Sequence, residues 1–295
     1  MIISASRRTD LPAHYTPWLM NRFAAGYCEV PNPFNPKQIS RIPLHPEGID
    51  AVVFWTRNPA PLIPRLPELD DREIVYYFLF TLLDYPRAID PGMAPLVRRI
   101  ETFRELSDRI GPDRVVWRYD PIFLSSATGP DFHRETVERI SRALAGATRT
   151  CVVSLTDIYR KVRPRLAALE RETGIRRLAD KEVDLPRLMT DLSAIVGGHG
   201  MEIRTCAETP HPDDWGISPG RCIDPDRITA ITGRPAPAMK DPSQRPFCRC
   251  AVSRDIGMYD TCPAGCVYCY AVGSAEKVRK NRSAHDPEAP SLVPG

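Results

Sequence analysis

Short apolar runs alternate along this chain with segments of helical period. Six runs are almost continuous in apolar, β-branched and aromatic residues: Ile2–Ala5, Ala51–Trp55, Ile74–Phe80, Val115–Arg118, Cys151–Leu155 and Met201–Thr205. Such runs predict strands buried on both faces. Between them Met93–Ile110, Phe132–Leu144, Ile158–Arg171 and Leu185–Val196 read as amphipathic helices. In the last of these Leu185, Leu188, Met189, Leu192 and Ile195 fall on one stripe. Strand alternating with helix predicts right-handed βαβ units and a parallel sheet. Six units predict an α/β fold, a parallel (βα) barrel or partial barrel, with a doubly wound open sheet as the alternative. This barrel-like domain spans residues 1–208. Beyond it the periodicity fades. Residues 209–282 read as a cysteine-rich segment packed on the barrel mouth, with a short helix over Ala271–Arg282, and 283–295 as a disordered tail.

Parallel α/β folds place their reactive groups at the C-terminal ends of the strands. Those ends are polar here. Ser6-Arg7-Arg8-Thr9-Asp10 follows the first run and Thr56-Arg57-Asn58 the second. Arg118-Tyr119-Asp120 closes the fourth, Ser154 to Asp157 the fifth, and Thr205-Cys206-Ala207-Glu208 the sixth. Arg8, Asp10, Arg57, Arg118, Asp120 and Glu208 are therefore the candidate catalytic residues, expected to converge on one cavity. Arginines there can hold a carboxylate or phosphate, and the acids can take an amine or move protons. Rim salt bridges that only stabilise the fold are the alternative.

Composition narrows the class. Hydrophobic residues at 42% and charged residues at 26% of 295 describe a globular chain able to build a core without disulfides. No stretch approaches the roughly 18 uninterrupted apolar residues of a membrane span. Met1 to Arg8 shows no secretion-signal pattern. The expected location is cytoplasmic, without a membrane partner. Lys+Arg 40 against Asp+Glu 37 leaves a net charge of +3, too small to announce tight non-specific nucleic-acid binding. No G-x-S-x-G, Walker loop or G-x-G-x-x-G supports a hydrolase, NTPase or dinucleotide reading.

Nine cysteines in such a chain point to metal chemistry. Cys28 and Cys151 stand apart and read as packing; the other seven lie in the last third. Cys262-Pro263-Ala264-Gly265-Cys266-Val267-Tyr268-Cys269 sets three thiolates at C-x3-C-x2-C, which can grip three irons of a [4Fe–4S] cluster from one tight loop. A zinc knuckle is the alternative. Cys206, Cys222, Cys248 and Cys250 form a second candidate set, for a second [4Fe–4S] cluster or a zinc ion. Unliganded buried thiols are its alternative. His211, in the loop after Glu208, is a weaker candidate to reach the pocket.

The C-x3-C-x-aromatic-C string resembles the cluster motif of radical S-adenosylmethionine (SAM) enzymes, with Tyr268 in the aromatic slot. Its ending, Tyr268-Cys269-Tyr270-Ala271, is similar to the version in spore photoproduct lyase and its relatives. The chain as a whole resembles an uncharacterised bacterial domain-of-unknown-function family. That likeness rests on Ser4 to Asp10, Phe54 to Pro59, Cys206-Ala207-Glu208, Gln244-Arg245 and the terminal cysteines. The radical SAM resemblance implies Cys262, Cys266 and Cys269 as cluster ligands with Tyr268 beside them and SAM on the open iron. It implies reductive SAM cleavage, a reductant protein such as flavodoxin or ferredoxin, and a small-molecule or nucleic-acid substrate, with nucleic-acid repair or modification as the substrate guess. Such motifs usually follow the first barrel strand, whereas this one follows the sixth predicted strand. A circularly permuted barrel would set Cys262–Arg282 beside the N-terminal strand. Three classes stay open on sequence: a radical-SAM-like enzyme, a non-radical iron–sulfur electron-transfer or sensing protein, and a zinc-stabilised barrel.

Overall fold

The computed structural model describes residues 1–208 and 215–294; His211 lies outside them. Strand β1 (Ile2–Ala5) is followed by α1 (Leu11–His14), α2 (Thr16–Ala25) and an antiparallel hairpin, β2 (Tyr27–Asn32) and β3 (Asn35–Pro43). The remaining predicted runs form β4 (Ala51–Thr56), β5 (Tyr76–Thr81), β6 (Val115–Ile122), β7 (Thr150–Leu155) and β8 (Glu202–Thr205). Two further strands come from the C-terminal segment, β9 (Ser218–Pro219) and β10 (Ser253–Asp255). Together they build one eight-stranded parallel sheet in the order β10-β1-β4-β5-β6-β7-β8-β9.

Side chains alternate between the two faces of this sheet, as the pleat requires. Ile3, Val52, Phe54, Tyr76, Phe78, Val115, Trp117 and Cys151 belong to the larger core. It is shared with α3 (Leu96–Ile110), α4 (Pro130–Leu144) and α5 (Leu185–Gly198), which bury Phe103, Ile140 and Leu192 among others. Their register neighbours Ile2, Ala51, Val53, Tyr77, Leu79, Val116 and Val152 face the other way into a second core. That core is completed by Cys222, Ile223, Ile228, Cys248, Cys250 and Ala251. Continuous apolar runs were required because both faces are covered.

Three expectations change. Among the described residues the hydrogen-bonded order has two ends, β10 and β9, and no pairing closes the sheet into a barrel. Residues 215–282 are not a cap added to a finished domain, because they supply both edge strands, β9 and β10. Residues 283–294 are not a free tail. Trp18 Nε1 donates to Ala289 O at 2.9 Å, Glu29 N to Pro290 O at 2.9 Å, and Leu292 is fully buried. The apolar side of α2 supplies the packing surface that the tail's own sequence does not reveal. Among the described residues no helix is long and apolar enough to cross a membrane.

Candidate functional site

The C-terminal strand ends open onto a cavity of about 430 Å³. Of the predicted charged residues, Arg8, Asp10, Arg57, Arg118 and Asp120 line it, and so do all seven cysteines of the last third, with Tyr268. Glu208 is not among its lining residues. Its Oε1 accepts from Leu155 N at 2.9 Å, at the end of β7, and that bond holds the carboxylate off the wall. Burial raises the Glu208 carboxyl to about 7, only partly opposed by that bond.

The cysteine motif reaches the cavity because β10, the strand before it, pairs in parallel with β1, Ser253 against Ile2. The strand that precedes the motif therefore lies beside the first strand. Asp255 at the end of β10 fastens the two connections together. It accepts from Ser4 Oγ (2.8 Å), Ser6 Oγ (2.6 Å), Arg7 N (2.8 Å) and Gly257 N (3.0 Å). Arg8 stacks over Tyr259 at 5.3 Å and reaches Gly257 O at 3.4 Å. Asp10 caps α1 by accepting from Ala13 N at 3.1 Å, and its other oxygen accepts from Arg57 N at 2.7 Å. Burial still raises its carboxyl to about 6.

Arg57 joins the charged wall to the cysteine loop. Its Nη1 donates to Asp90 Oδ1 at 2.6 Å and to Cys266 Sγ at 2.8 Å, and Nη2 pairs with Asp90 Oδ2. Tyr268, the residue in the aromatic slot, donates its hydroxyl to the same Asp90 at 3.1 Å. Cys269 Sγ accepts from Ala271 N at 3.3 Å, while the backbone N–H groups of Asp10 and Ala264 serve Cys262. The loop is held close to its neighbours. A Cβ on Gly92 would stand 2.4 Å from Ala264 O, and Gly265 takes φ +76°, a conformation glycine adopts without strain. Three thiols with N–H donors to their sulfurs, in one loop on a polar cavity, are a donor set suited to three corners of an iron–sulfur cluster.

The second set also assembles. Cys206 Sγ lies 3.4 Å from Cys222 Sγ, and the thiols of Cys222 and Cys248 both hydrogen-bond Cys250. The sulfurs touch in sequence rather than around an established centre. Among the described residues no group of three or more His, Cys, Asp or Glu already forms a metal-holding arrangement. Beside them Arg118 pairs with Asp120 and stacks on Trp55 at 4.7 Å, with Arg7 over the same ring at 5.4 Å. Cys28 and Cys151 are fully buried away from both sets, as expected for packing thiols.

Sequence reasoning missed Asp90, Asp255, Arg7 and Trp55. Asp90-Pro91-Gly92 is a turn signal that marks a loop without revealing its ion pair. Arg7 and Trp55 sit at strand ends beside residues that were chosen. Trp55 alternates with the larger-core side chain Phe54, which could have pointed it to the opposite face.

A family model described as a domain of unknown function, DUF1848, matches residues 2–271. No curated protein matches the chain. Among solved structures, an enolase protein from environmental shotgun sequencing of the Sargasso Sea is similar over 71% of this chain and 48% of its own, at 12% identity and a TM-score of 0.19. The chain thus spans about half the length of that structure. A likeness that weak carries no argument about fold or chemistry.

Proposed function

The chain belongs to the DUF1848 family, a domain of unknown function, and we propose that it is an iron–sulfur enzyme of radical-SAM-like type. One observation carries this reading: the thiols of Cys262, Cys266 and Cys269 open onto the same cavity as Arg8, Asp10, Arg57, Arg118 and Asp120. Those three cysteines would hold a [4Fe–4S] cluster, with one iron left free of protein ligands from the motif. Bound there, the cluster supplies single electrons, to SAM in this reading, with a flavodoxin- or ferredoxin-like protein as the reductant.

The chain's own residues do the rest. Arg57 places a positive charge beside the Cys266 sulfur and pairs with the buried Asp90, so the guanidinium is not itself left as an unpaired buried charge. Asp10, raised to about 6, can carry a proton at the cavity wall near neutral pH. Arg8 and Arg245 supply cationic wall for the carboxylate end of a zwitterion or for a phosphate. The cavity, about 430 Å³, admits a small molecule or one flipped-out nucleoside, not a duplex.

Anaerobic reconstitution tests the reading. The wild-type protein should be brown, and each of Cys262→Ala, Cys266→Ala and Cys269→Ala should lose about four iron and four sulfide. With dithionite the wild-type protein should convert SAM to 5′-deoxyadenosine and methionine. Unchanged iron in all three variants defeats the cluster assignment. A cluster that never turns over SAM defeats the radical assignment and leaves an electron-transfer protein.

A further inference from the structure

Four of the six cysteines outside the motif, Cys206, Cys222, Cys248 and Cys250, sit where the two ends of the sheet meet. Cys206 directly follows β8, Cys222 lies three residues after β9, and Cys250 lies three residues before β10. Past those edges the chain is stitched once by backbone, Ala251 N to Ile223 O at 3.1 Å, and once by sulfur, Ile223 N to Cys250 Sγ at 3.3 Å. The thiols thus occupy the place where strand pairing would have closed a barrel.

A second observation concerns charge. Among the described residues Arg7 Nη2, Trp55 Nε1 and Arg118 Nε are buried and have no hydrogen-bond partner. A buried guanidinium with an unanswered N–H is costly. Asp120 answers another edge of Arg118, and Asp255 lies near Arg7. Tyr270 also acts on Arg7, and the remaining ionisable groups near these two arginines are sulfurs, Cys222 and Cys250 by Arg7 and Cys222 and Cys206 by Arg118. Neutral thiols would give the arginines little. Four thiolates on one divalent ion carry a net charge of −2.

We propose that Cys206, Cys222, Cys248 and Cys250 bind a single divalent ion, zinc or ferrous iron, in a closed tetrathiolate site that staples the two ends of the sheet together. The spacing favours one ion over a cluster. Metal–sulfur bonds of about 2.3 Å in a tetrahedron put the sulfurs about 3.8 Å apart, close to the 3.4 Å between Cys206 and Cys222. A cubane binds each cysteine to a different outward-facing iron and spreads the sulfurs much farther. A disulfide needs about 2.05 Å, which this pair does not show. A closed site has no open position, so the ion has a structural role. Arg7 and Arg118, drawn toward its charge and stacked on Trp55, set part of the wall of the neighbouring cavity. The site does not depend on radical chemistry at the other cysteines.

Metal analysis of the Cys262→Ala/Cys266→Ala/Cys269→Ala triple variant counts only this site. One zinc or iron per chain with no sulfide is the expected result. Adding Cys222→Ser should remove that ion, lower Tm and make the three remaining thiols reactive to alkylation. About four iron with four sulfide would overturn the single-ion claim. No metal together with four alkylatable thiols would overturn the site. If the triple variant does not fold, Cys222→Ser in the otherwise wild-type protein should lower metal content by one ion, and no change would refute the proposal. Cobalt titration of the triple variant's apoprotein gives a direct signature, intense thiolate-to-cobalt charge transfer that zinc abolishes.

Discussion

The Arg57 guanidinium touches Cys266 Sγ at 2.8 Å while forking onto the buried Asp90. A cation on one sulfur of the proposed cluster stabilises its more negative, reduced state. Arg57→Lys keeps the charge but loses the fork, since an ammonium cannot match a carboxylate bidentately. The variant should retain its iron and become harder to reduce, as measured by spectroelectrochemistry. Arg57→Met should behave differently. It leaves Asp90 buried and unpaired, and should cost about 3–5 kcal/mol of stability. Equal potentials in wild type and Arg57→Lys would remove the Arg57–Cys266 hydrogen bond, as distinct from the charge, from any electronic role.

Gly92 presses against the cysteine loop from the loop after β5. Any Cβ there would stand 2.4 Å from the Ala264 carbonyl, a backbone atom that cannot swing aside. Gly92→Ala should therefore push Pro263–Gly265 outward and lower iron occupancy, with far-UV dichroism unchanged. Full occupancy in Gly92→Ala would show that the loop has room the structure does not suggest.

The legible part of this fold was the part with both faces buried. The predicted runs Ala51–Trp55 and Ile74–Phe80 could be read because neither face of β4 or β5 meets water. The hairpin was not, because most of β3 is exposed and carries no apolar alternation. Nor were β9 and β10, two and three residues long, whose Ser-Pro and Ser-Arg-Asp sequences carry no strand signal. The site followed the same rule. Strand-end charges and cysteine spacing are local and visible. The pairing of Arg57 with Asp90 and the clamp of Asp255 on Ser6 join residues 33 and 249 apart, and no local pattern encodes such partners.

The C-terminal residues were misread for a related reason, and their packing is testable. Leu292 is 1% exposed and Trp18 0%. Leu292→Ala should destabilise the protein by about 2–4 kcal/mol in urea denaturation, as for other buried leucines. A disordered tail would give a change near zero. Trp18→Phe should cost less, about 1–2 kcal/mol, since the ring surface is largely kept while Ala289 O loses its donor.

His133 gives the cleanest pH dependence. Its Nδ1 meets Tyr119 Oη at 2.7 Å, its Nε2 lies 3.4 Å from Phe123 O, and the side chain is fully buried. Burial pushes the imidazole down from 6.5 to about 4. Between those values the unfolded chain holds a proton that the folded chain refuses, so acid favours unfolding. The contribution is whole above pH 6.5, shrinks as pH falls, and is gone below about 4; its ceiling is about 3 kcal/mol. Asp10 and Glu208 act in the opposite sense, because their raised carboxyls make the folded state the stronger proton binder below about 6 and about 7. The total slope is therefore a mixture, and the measurement must be a difference. His133→Gln cannot titrate. Subtracting its stability from that of the wild type, by urea denaturation at intervals from pH 4 to 7, should leave a curve that rises with pH toward 6.5 and then levels. A flat difference would mean that the imidazole gains its proton in the folded state as readily as in the unfolded one.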